Sequence, residues 1–346
     1  MRETIYFATN RNPTGVASAP FGIHFNPVHP HELRFGEIQV DLGPREHRLT
    51  GPKLAQRLAR KILKEQAVAS MYPEQLEHKP YRFGSKTLFS NLKAVMDQGR
   101  DCLVYIHGYN VSFTDAVGAA AALQHKLRQQ PIPVQVVLFT WPSDGRKLPF
   151  RSYKRDRDDA AAAGLAFSRG FRKLHDFLRG VKRRDSCARD IHLLCHSMGN
   201  FALQKTLSHL AECVPGTLPR LFAEIILAAA DVDDDALEHE EKLARLPEIG
   251  RRINIYYNRG DRALEVADRT KGNPDRLGES GPRHPLDTRS GVVNIDTTEI
   301  VHSLVEHAYY LDEALEDLSQ VVSGIREDRI PGREYVPSAN SYRLVG

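Results

Sequence analysis

The stretch Leu194-Cys195-His196-Ser197-Met198-Gly199-Asn200 decides the fold that this chain is expected to adopt. It follows an apolar run at residues 191–194 and precedes residues 201–207, whose apolar positions have helical spacing. The pattern predicts a buried strand that turns sharply into a helix, with Ser197 at the turn. Small residues around such a serine are typical of a nucleophile elbow, which exposes the serine oxygen above a sheet. Cys195 replaces the usual first glycine of this motif and is still small enough for the turn.

Composition limits the class of protein and its compartment. The 346 residues are 41% hydrophobic and 27% charged, which suits a soluble α/β chain with a substantial core. The formal net charge of +4 is too small at this length to indicate a nucleic-acid partner. The start at Met1 has no basic and apolar signal segment, and no apolar stretch approaches the about 20 residues that span a bilayer. We therefore expect no membrane span and a cytoplasmic location.

The cysteines point to the same compartment. They show no CxxC pairing, and two of the four, Cys102 and Cys195, fall in predicted core strands; the others are Cys187 and Cys213. Free thiols in a reducing compartment are the expected state.

Hydrophobic patterning predicts alternating strands and helices. Predicted strands cover residues 4–9, 37–42, 103–106, 134–140, 191–194, 224–229, 253–257 and 292–295. Predicted helices cover about 52–69, 86–96, 114–128, 156–181, 201–207 and 298–321, with an irregular excursion at 13–36 and a loop at 271–291. Alternation at this spacing predicts an α/β fold: a mostly parallel twisted sheet with helices on both faces. The strand at 37–42 reads as an antiparallel edge strand.

The same pattern suggests three regions. Residues 1–100 are predicted to form an extension of edge strands and helices packed on the core. Residues 101–328 are predicted to form the α/β core, and residues 329–346 an extended tail.

Several predicted strands end in polar or reactive residues, and active groups gather at the carboxyl ends of parallel strands. A serine becomes a nucleophile when a histidine accepts its proton and a carboxylate orients that histidine. In folds with an elbow the chain order is serine, acid, histidine. His302 and His307 both follow the last core strand, and spacing alone leaves them equal.

Two aspartates compete for the role of acid. Asp261 follows a predicted strand and Gly260, whereas Asp231, with Asp233 behind it, ends the preceding strand. Either could instead cap a helix. The aspartates within residues 231–235 resemble a metal site but lack the glycine and distal glutamate of a calcium loop. We predict no metal and no cofactor.

An acyl-transfer site also needs N–H donors for the developing oxyanion. The amide of Met198, directly after the serine, is predicted to supply one. The segment His107-Gly108-Tyr109 ends a buried strand upstream, which makes the Tyr109 amide the predicted second donor.

With these residues in place the chain resembles an α/β-hydrolase, and more narrowly the DUF900 family of uncharacterised bacterial esterase- or lipase-like hydrolases. The matching stretches are residues 6–11, 104–110, 138–143, 196–200, 258–264, 276–278 and 306–310. The resemblance implies Ser197 as nucleophile, Asp261 as acid and His307 as base. It also implies that Trp141 and Tyr153 line or brace the site. The candidate site-lining residues are His107, Gly108, Asn110, Trp141, Tyr153 and His196.

The implied activity is cleavage of a carboxylic ester or thioester, a small-molecule substrate, through an acyl-serine intermediate. Two alternatives stay open: a degenerate hydrolase fold that binds a ligand without turnover, and an acyltransferase whose acceptor is not water.

Overall fold

The computed structural model describes residues 1–16, 19–65, 69–74, 79–130, 133–143, 149–181, 188–261, 263–264, 275–302 and 307–346. They form two compact units, Met1–Asp190 and Ile191–Gly346. Cys187 lies outside the described residues. The predicted division of the chain at residues 100 and 328 stays a prediction.

The first unit alternates strands and helices. Its strands are β1 Arg2–Thr9, β2 Arg11–Pro13, β3 Phe21–Phe25, β4 Arg34–Asp41, β5 Ala69–Tyr72, β6 Asp101–Ile106 and β7 Val134–Thr140. Its helices are α1 Gly51–Glu65, α2 Gly84–Asp97, α3 Phe113–Arg128 and α4 Pro149–Gly180. Strands β6 and β7 are short, almost continuous apolar runs, because parallel strands are covered on both faces.

The strand order in this unit is β6-β7-β1-β4-β5. Strand β7 is parallel to both β6 and β1, whereas β4 runs antiparallel to β1 and to β5. The antiparallel orientation predicted for 37–42 is therefore confirmed, but its position at an edge is wrong. Residues 69–72 add a strand on its outer side, because their backbone pairs with β4 although none of their side chains is buried.

The predicted irregular excursion at 13–36 was only partly right. It contains β3, which pairs antiparallel with β2. The ring of Phe21 packs edge-on against Phe7, with centroids 5.7 Å apart, and against Phe113 at 4.8 Å. These tertiary contacts order a segment in which proline and glycine residues obscure the alternation of apolar and polar residues that would predict a strand.

The second unit holds strands β8 Ile191–His196, β9 Phe222–Ala228, β10 Gly250–Tyr257, β11 Val292–Asp296, β12 Arg333–Val336 and β13 Ser341–Leu344. Its helices are α5 Gly199–Cys213, α6 Leu246–Ile249, α7 Leu277–Ser280 and α8 Leu315–Val322. The strand order is β12-β13-β11-β10-β9-β8. All neighbouring pairs from β8 to β13 are parallel, and β12 is antiparallel to β13. The predicted α/β class with mostly parallel strands is confirmed.

Two features of the C-terminal end differ in detail from local patterning. The tail forms the strands β12 and β13, and β13 joins the sheet beside β11. The helix predicted over 298–321 is wrong: residues 298–302 are not helical, Tyr309–Leu311 is a 3₁₀ turn, and α8 begins only at Leu315. The hydroxyl of Tyr309 accepts the Ala229 N–H and donates to Tyr256 O, at 2.9 Å each. These bonds hold the segment on strand ends, so it does not continue as a helix.

Candidate active site

Ser197 stands at the sharp turn between β8 and α5. Its φ of +52° lies in the left-handed region, which non-glycine residues rarely occupy outside functional turns. Its N–H donates to Ala228 O at 3.0 Å, and its carbonyl accepts the Asp231 N–H at 3.2 Å. The end of β9 therefore holds the strained turn from both sides.

The side chain of Asn200 stabilises the turn through hydrogen bonds to its backbone carbonyls. Its amide nitrogen donates to Cys195 O at 3.1 Å and to Ser197 O at 3.0 Å. Cys195 is fully buried at the end of β8, and burial raises the pKa of its thiol well above the ordinary value. The thiol is therefore neutral and packs as a small apolar group.

Asp261 and His307 form a direct pair. The Nδ1 of His307 lies 2.7 Å from Asp261 Oδ2, with the carboxylate buried and the imidazole 21% exposed. Asp261 Oδ1 also accepts the Ala263 N–H at 3.0 Å, so both carboxylate oxygens are engaged. A carboxylate oxygen accepts hydrogen bonds, so His307 donates to Asp261 through an N–H at Nδ1.

The backbone turn after β10 places Asp261. The side chain of Asn258 accepts the Gly260 N–H at 2.9 Å, and its carbonyl accepts the Asp261 N–H at 3.1 Å. The same asparagine donates its own N–H to Gly278 O at 3.0 Å. The carboxylate thus sits on a turn that is bonded to the segment containing α7.

His307 lies beside the elbow. The Nε2 of His196 is 2.9 Å from His307 O, and the centroids of the two imidazole rings are 4.7 Å apart. Because His196 immediately precedes Ser197, the Asp261–His307 pair lies next to the backbone segment that carries the serine. Glu306, which precedes His307, lies outside the described residues.

The rival acid, Asp231, has a cationic neighbour. Its Oδ1 lies 3.4 Å from Arg276 Nε, and both side chains are buried. Arg276 also bonds Asp233 at 2.8 Å. Asp234 and Asp235 pair with Arg283 at 2.6 and 3.0 Å, so the aspartates form an ion-pair cluster. Within the described ranges, no group of three or more His, Cys, Asp or Glu side chains is arranged to hold a metal ion.

The rival base, His302, is exposed at the end of the described range 275–302. A few residues before it, the hydroxyl of Thr297 donates to Tyr257 O at the end of β10, and the side chain of Asp296 accepts the Thr298 N–H.

The candidate site residues of the first unit lie after β6, after β7 and on α4. His107 is fully buried; its Nε2 lies 2.8 Å from Thr140 Oγ1 and accepts the Trp141 N–H at 3.2 Å. Its Nδ1 donates to Gly108 O at 2.9 Å, which fixes the tautomer. Burial, with a smaller contribution from Arg11, lowers the pKa of His107 to about 3. His107 is therefore a neutral structural group that stacks on Trp141 at a centroid distance of 5.2 Å.

Buried charges that the local sequence patterns do not single out hold the loop after β6. Asn110 has a φ of +59° and donates its N–H to Asp156 Oδ2 at 3.1 Å. The next residue, Val111, donates to Ser143 Oγ at 3.1 Å, and its carbonyl accepts Arg11 Nη2 at 2.7 Å.

Burial lowers the pKa of Arg11 to about 9 and raises that of Asp156. Arg11 lies two residues after the first predicted strand and within the matching stretch 6–11, and this position was the sequence signal that could have indicated its importance. Tyr109 and Tyr153 meet edge-on, with ring centroids 5.6 Å apart.

The fold and the elbow together define an α/β-hydrolase. The chain belongs to the family described as an alpha/beta hydrolase of unknown function, DUF900, whose model matches residues 85–324. The predicted α/β-hydrolase fold and the family resemblance are thereby confirmed. No curated protein matches the chain. Among the described residues, no helix has both the length and the apolar character needed to cross a bilayer.

Proposed function

We propose that this protein is a serine hydrolase that cleaves a carboxylic ester or thioester through an acyl-Ser197 intermediate. The observation that carries the proposal is the 2.7 Å contact between His307 Nδ1 and Asp261 Oδ2, beside a serine held at positive φ. A strained serine turn and an adjacent carboxylate–imidazole pair together supply a nucleophile, a base and an orienting group.

In the acylation step, His307 Nε2 accepts the hydroxyl proton of Ser197 as the serine oxygen attacks the carbonyl carbon. The tetrahedral intermediate collapses, and the leaving alcohol or thiol takes the proton from Nε2. In deacylation, Nε2 accepts a proton from water, whose oxygen attacks the acyl carbon, and then returns the proton to Ser197. Asp261 keeps the proton of His307 on Nδ1 and stabilises the imidazolium in both halves.

The oxyanion requires hydrogen-bond donors aimed at the attacked carbonyl. Met198 is the N-cap residue of α5, so its amide belongs to the helix end that has no intrahelical acceptor. We assign the first donor to this amide. Tyr109 as the second donor rests on the order of residues along the chain and stays a prediction.

Activity-based labelling tests the nucleophile. We expect a fluorophosphonate probe to label the wild-type protein and the Ser208→Ala control, whose serine lies further along α5, but not Ser197→Ala. A series of p-nitrophenyl esters and thioesters of increasing chain length would then define the acyl preference. Labelling that survives in Ser197→Ala would refute the nucleophile, and an unlabelled wild type would favour a binding protein without turnover.

Paired variants test the acid and the base. We expect Asp261→Asn to lower kcat by about 10⁴-fold, because the asparagine favours the wrong tautomer of the histidine. Asp231→Asn and His302→Ala are expected to retain most of the turnover, whereas His307→Ala loses it. A larger loss in Asp231→Asn or His302→Ala would transfer the role to that residue.

We also propose a cytoplasmic location. Cys195 is a buried free thiol and Cys213 an exposed one. Free thiols suit a reducing compartment. Fractionation of the native host with an antibody to the protein tests this, and recovery outside the cytoplasm would contradict it.

A further inference from the structure

The residue before the nucleophile is bonded to the residue proposed as the base. His196 Nε2 lies 2.9 Å from His307 O. A carbonyl oxygen only accepts hydrogen bonds, so Nε2 of His196 must carry a proton. The imidazole of His196 also contacts two rings of the same segment: its centroid is 4.7 Å from that of His307 and 4.7 Å from that of Tyr310.

This bond acts on a different part of His307 from the bond to Asp261. Asp261 engages the Nδ1 atom and so controls the rotation of the imidazole ring and its tautomer. His196 engages the carbonyl and so controls where the backbone carries that ring. Further along, the hydroxyl of Tyr309 ties the segment to the ends of β9 and β10.

We propose that His196 is a positioning residue that sets the distance between the nucleophile and the base. This inference rests on the proposed function of Ser197 and His307. His196 is the residue directly before Ser197, so its ring links the backbone segment that carries the serine to the backbone segment that carries His307. Proton transfer requires heavy atoms within hydrogen-bond reach, and a displacement near 1 Å costs on the order of 100-fold in rate.

Three substitutions separate the hydrogen bond from ring packing. His196→Gln keeps an N–H donor at a similar reach without the ring. His196→Phe keeps the ring without a donor, and His196→Ala removes both. His209→Phe is the matched control, since His209 lies on α5 and pairs with Glu212 away from the elbow.

Ester hydrolysis provides the first readout. We expect His196→Phe and His196→Ala to lower kcat about 30- to 100-fold with little change in KM, because the chemical step, and not substrate binding, depends on the hydrogen bond between His196 and His307. His196→Gln is expected to recover most of that loss, and His209→Phe to match the wild type. Equal kcat in His196→Phe and the wild type, or no recovery in His196→Gln, would overturn the inference. The proposal that the protein is a serine hydrolase would still stand if the fluorophosphonate labels Ser197.

Hydrogen exchange provides a readout that does not need turnover. Loss of the bond frees the segment, so amide exchange over residues 307–310 should rise at least about fivefold in His196→Phe and His196→Ala but not in His196→Gln. Unfolding midpoints measured alongside show whether all three variants remain folded. If amide exchange over residues 307–310 is unchanged in a folded His196→Phe variant, the inference is wrong. This readout does not depend on whether a fluorophosphonate labels the wild-type protein.

Discussion

Replacing Asp159 by Asn should stabilise the first unit at neutral pH and not at acidic pH. This half-buried carboxyl lies on α4, where burial, followed by repulsion from Asp156, raises its pKa from 3.8 to about 7. Between pH 4 and pH 7 the folded protein therefore keeps a proton that the unfolded chain has lost. The free energy of unfolding falls as pH rises through that window, and the full penalty applies above pH 7.

The size of the effect follows from the shift. A displacement of about 3 pKa units would correspond to about 4 kcal/mol for an insulated group. Solvent screens this partly exposed carboxyl, so we expect about 1–2 kcal/mol. Asparagine keeps the shape of the side chain and does not ionise. The variant should equal the wild type near pH 4 and exceed its free energy of unfolding by about 1–2 kcal/mol at pH 8.

Urea unfolding at pH 4, 6 and 8 measures this difference. Trp141 is the single tryptophan of the sequence and is fully buried in the same unit, so its fluorescence reports this unit's unfolding. Asp158→Asn is the matched control, because it makes the same charge change at the exposed neighbouring position. A gain that is equal at pH 4 and pH 8, or a gain of the same size in Asp158→Asn, would refute desolvation as the cause.

Three further substitutions test particular contacts. Gly278→Ala would place a Cβ against the backbone nitrogen of Ala230, so we expect a loss of about 3 kcal/mol in urea unfolding followed by circular dichroism, against little loss in Gly260→Ala. Asn200→Ala removes two hydrogen bonds inside the elbow and should cost about 1–3 kcal/mol by the same measurement; Asn200→Asp, which cannot donate them and buries a charge, should cost more. Because the pKa of His107 falls to about 3 in the folded state, wild-type stability should decline as pH drops below about 6.5, by about 2 kcal/mol at pH 5. His107→Gln should lack that decline in Trp141 fluorescence, and a parallel pH profile in the variant would contradict the assignment.

Local patterns were sufficient for most strands and for the elbow. Continuous apolar runs predict β6 and β7 because strands covered on both faces leave no polar alternation to read. The motif around Ser197 predicts its own turn because the small flanking residues and the strand-to-helix change are all encoded within a few positions. The family matches the one that the spaced motifs resemble.

Local patterns failed where a distant partner decides the conformation. The apolar spacing of residues 298–321 has a helical period, yet the hydroxyl of Tyr309 binds two strand ends and the chain forms a 3₁₀ turn there. The C-terminal residues carry little strand signal by themselves, and it is pairing with β11 that makes β13. Arg11 and Asp156 likewise become structurally important only through loops far away in sequence.

The sequence by itself determined the class of fold and the sharp turn at Ser197, since these depend on patterns of residues close together in the chain. It left Asp231 and Asp261, and His302 and His307, as alternatives, because residues of the same type at the ends of neighbouring strands have the same local signature. In the tertiary structure one aspartate pairs with one histidine: Asp261 Oδ2 lies 2.7 Å from His307 Nδ1, whereas Asp231 faces Arg276 and His302 is exposed. Such contacts join positions 46 residues apart, and only the packed chain brings them together.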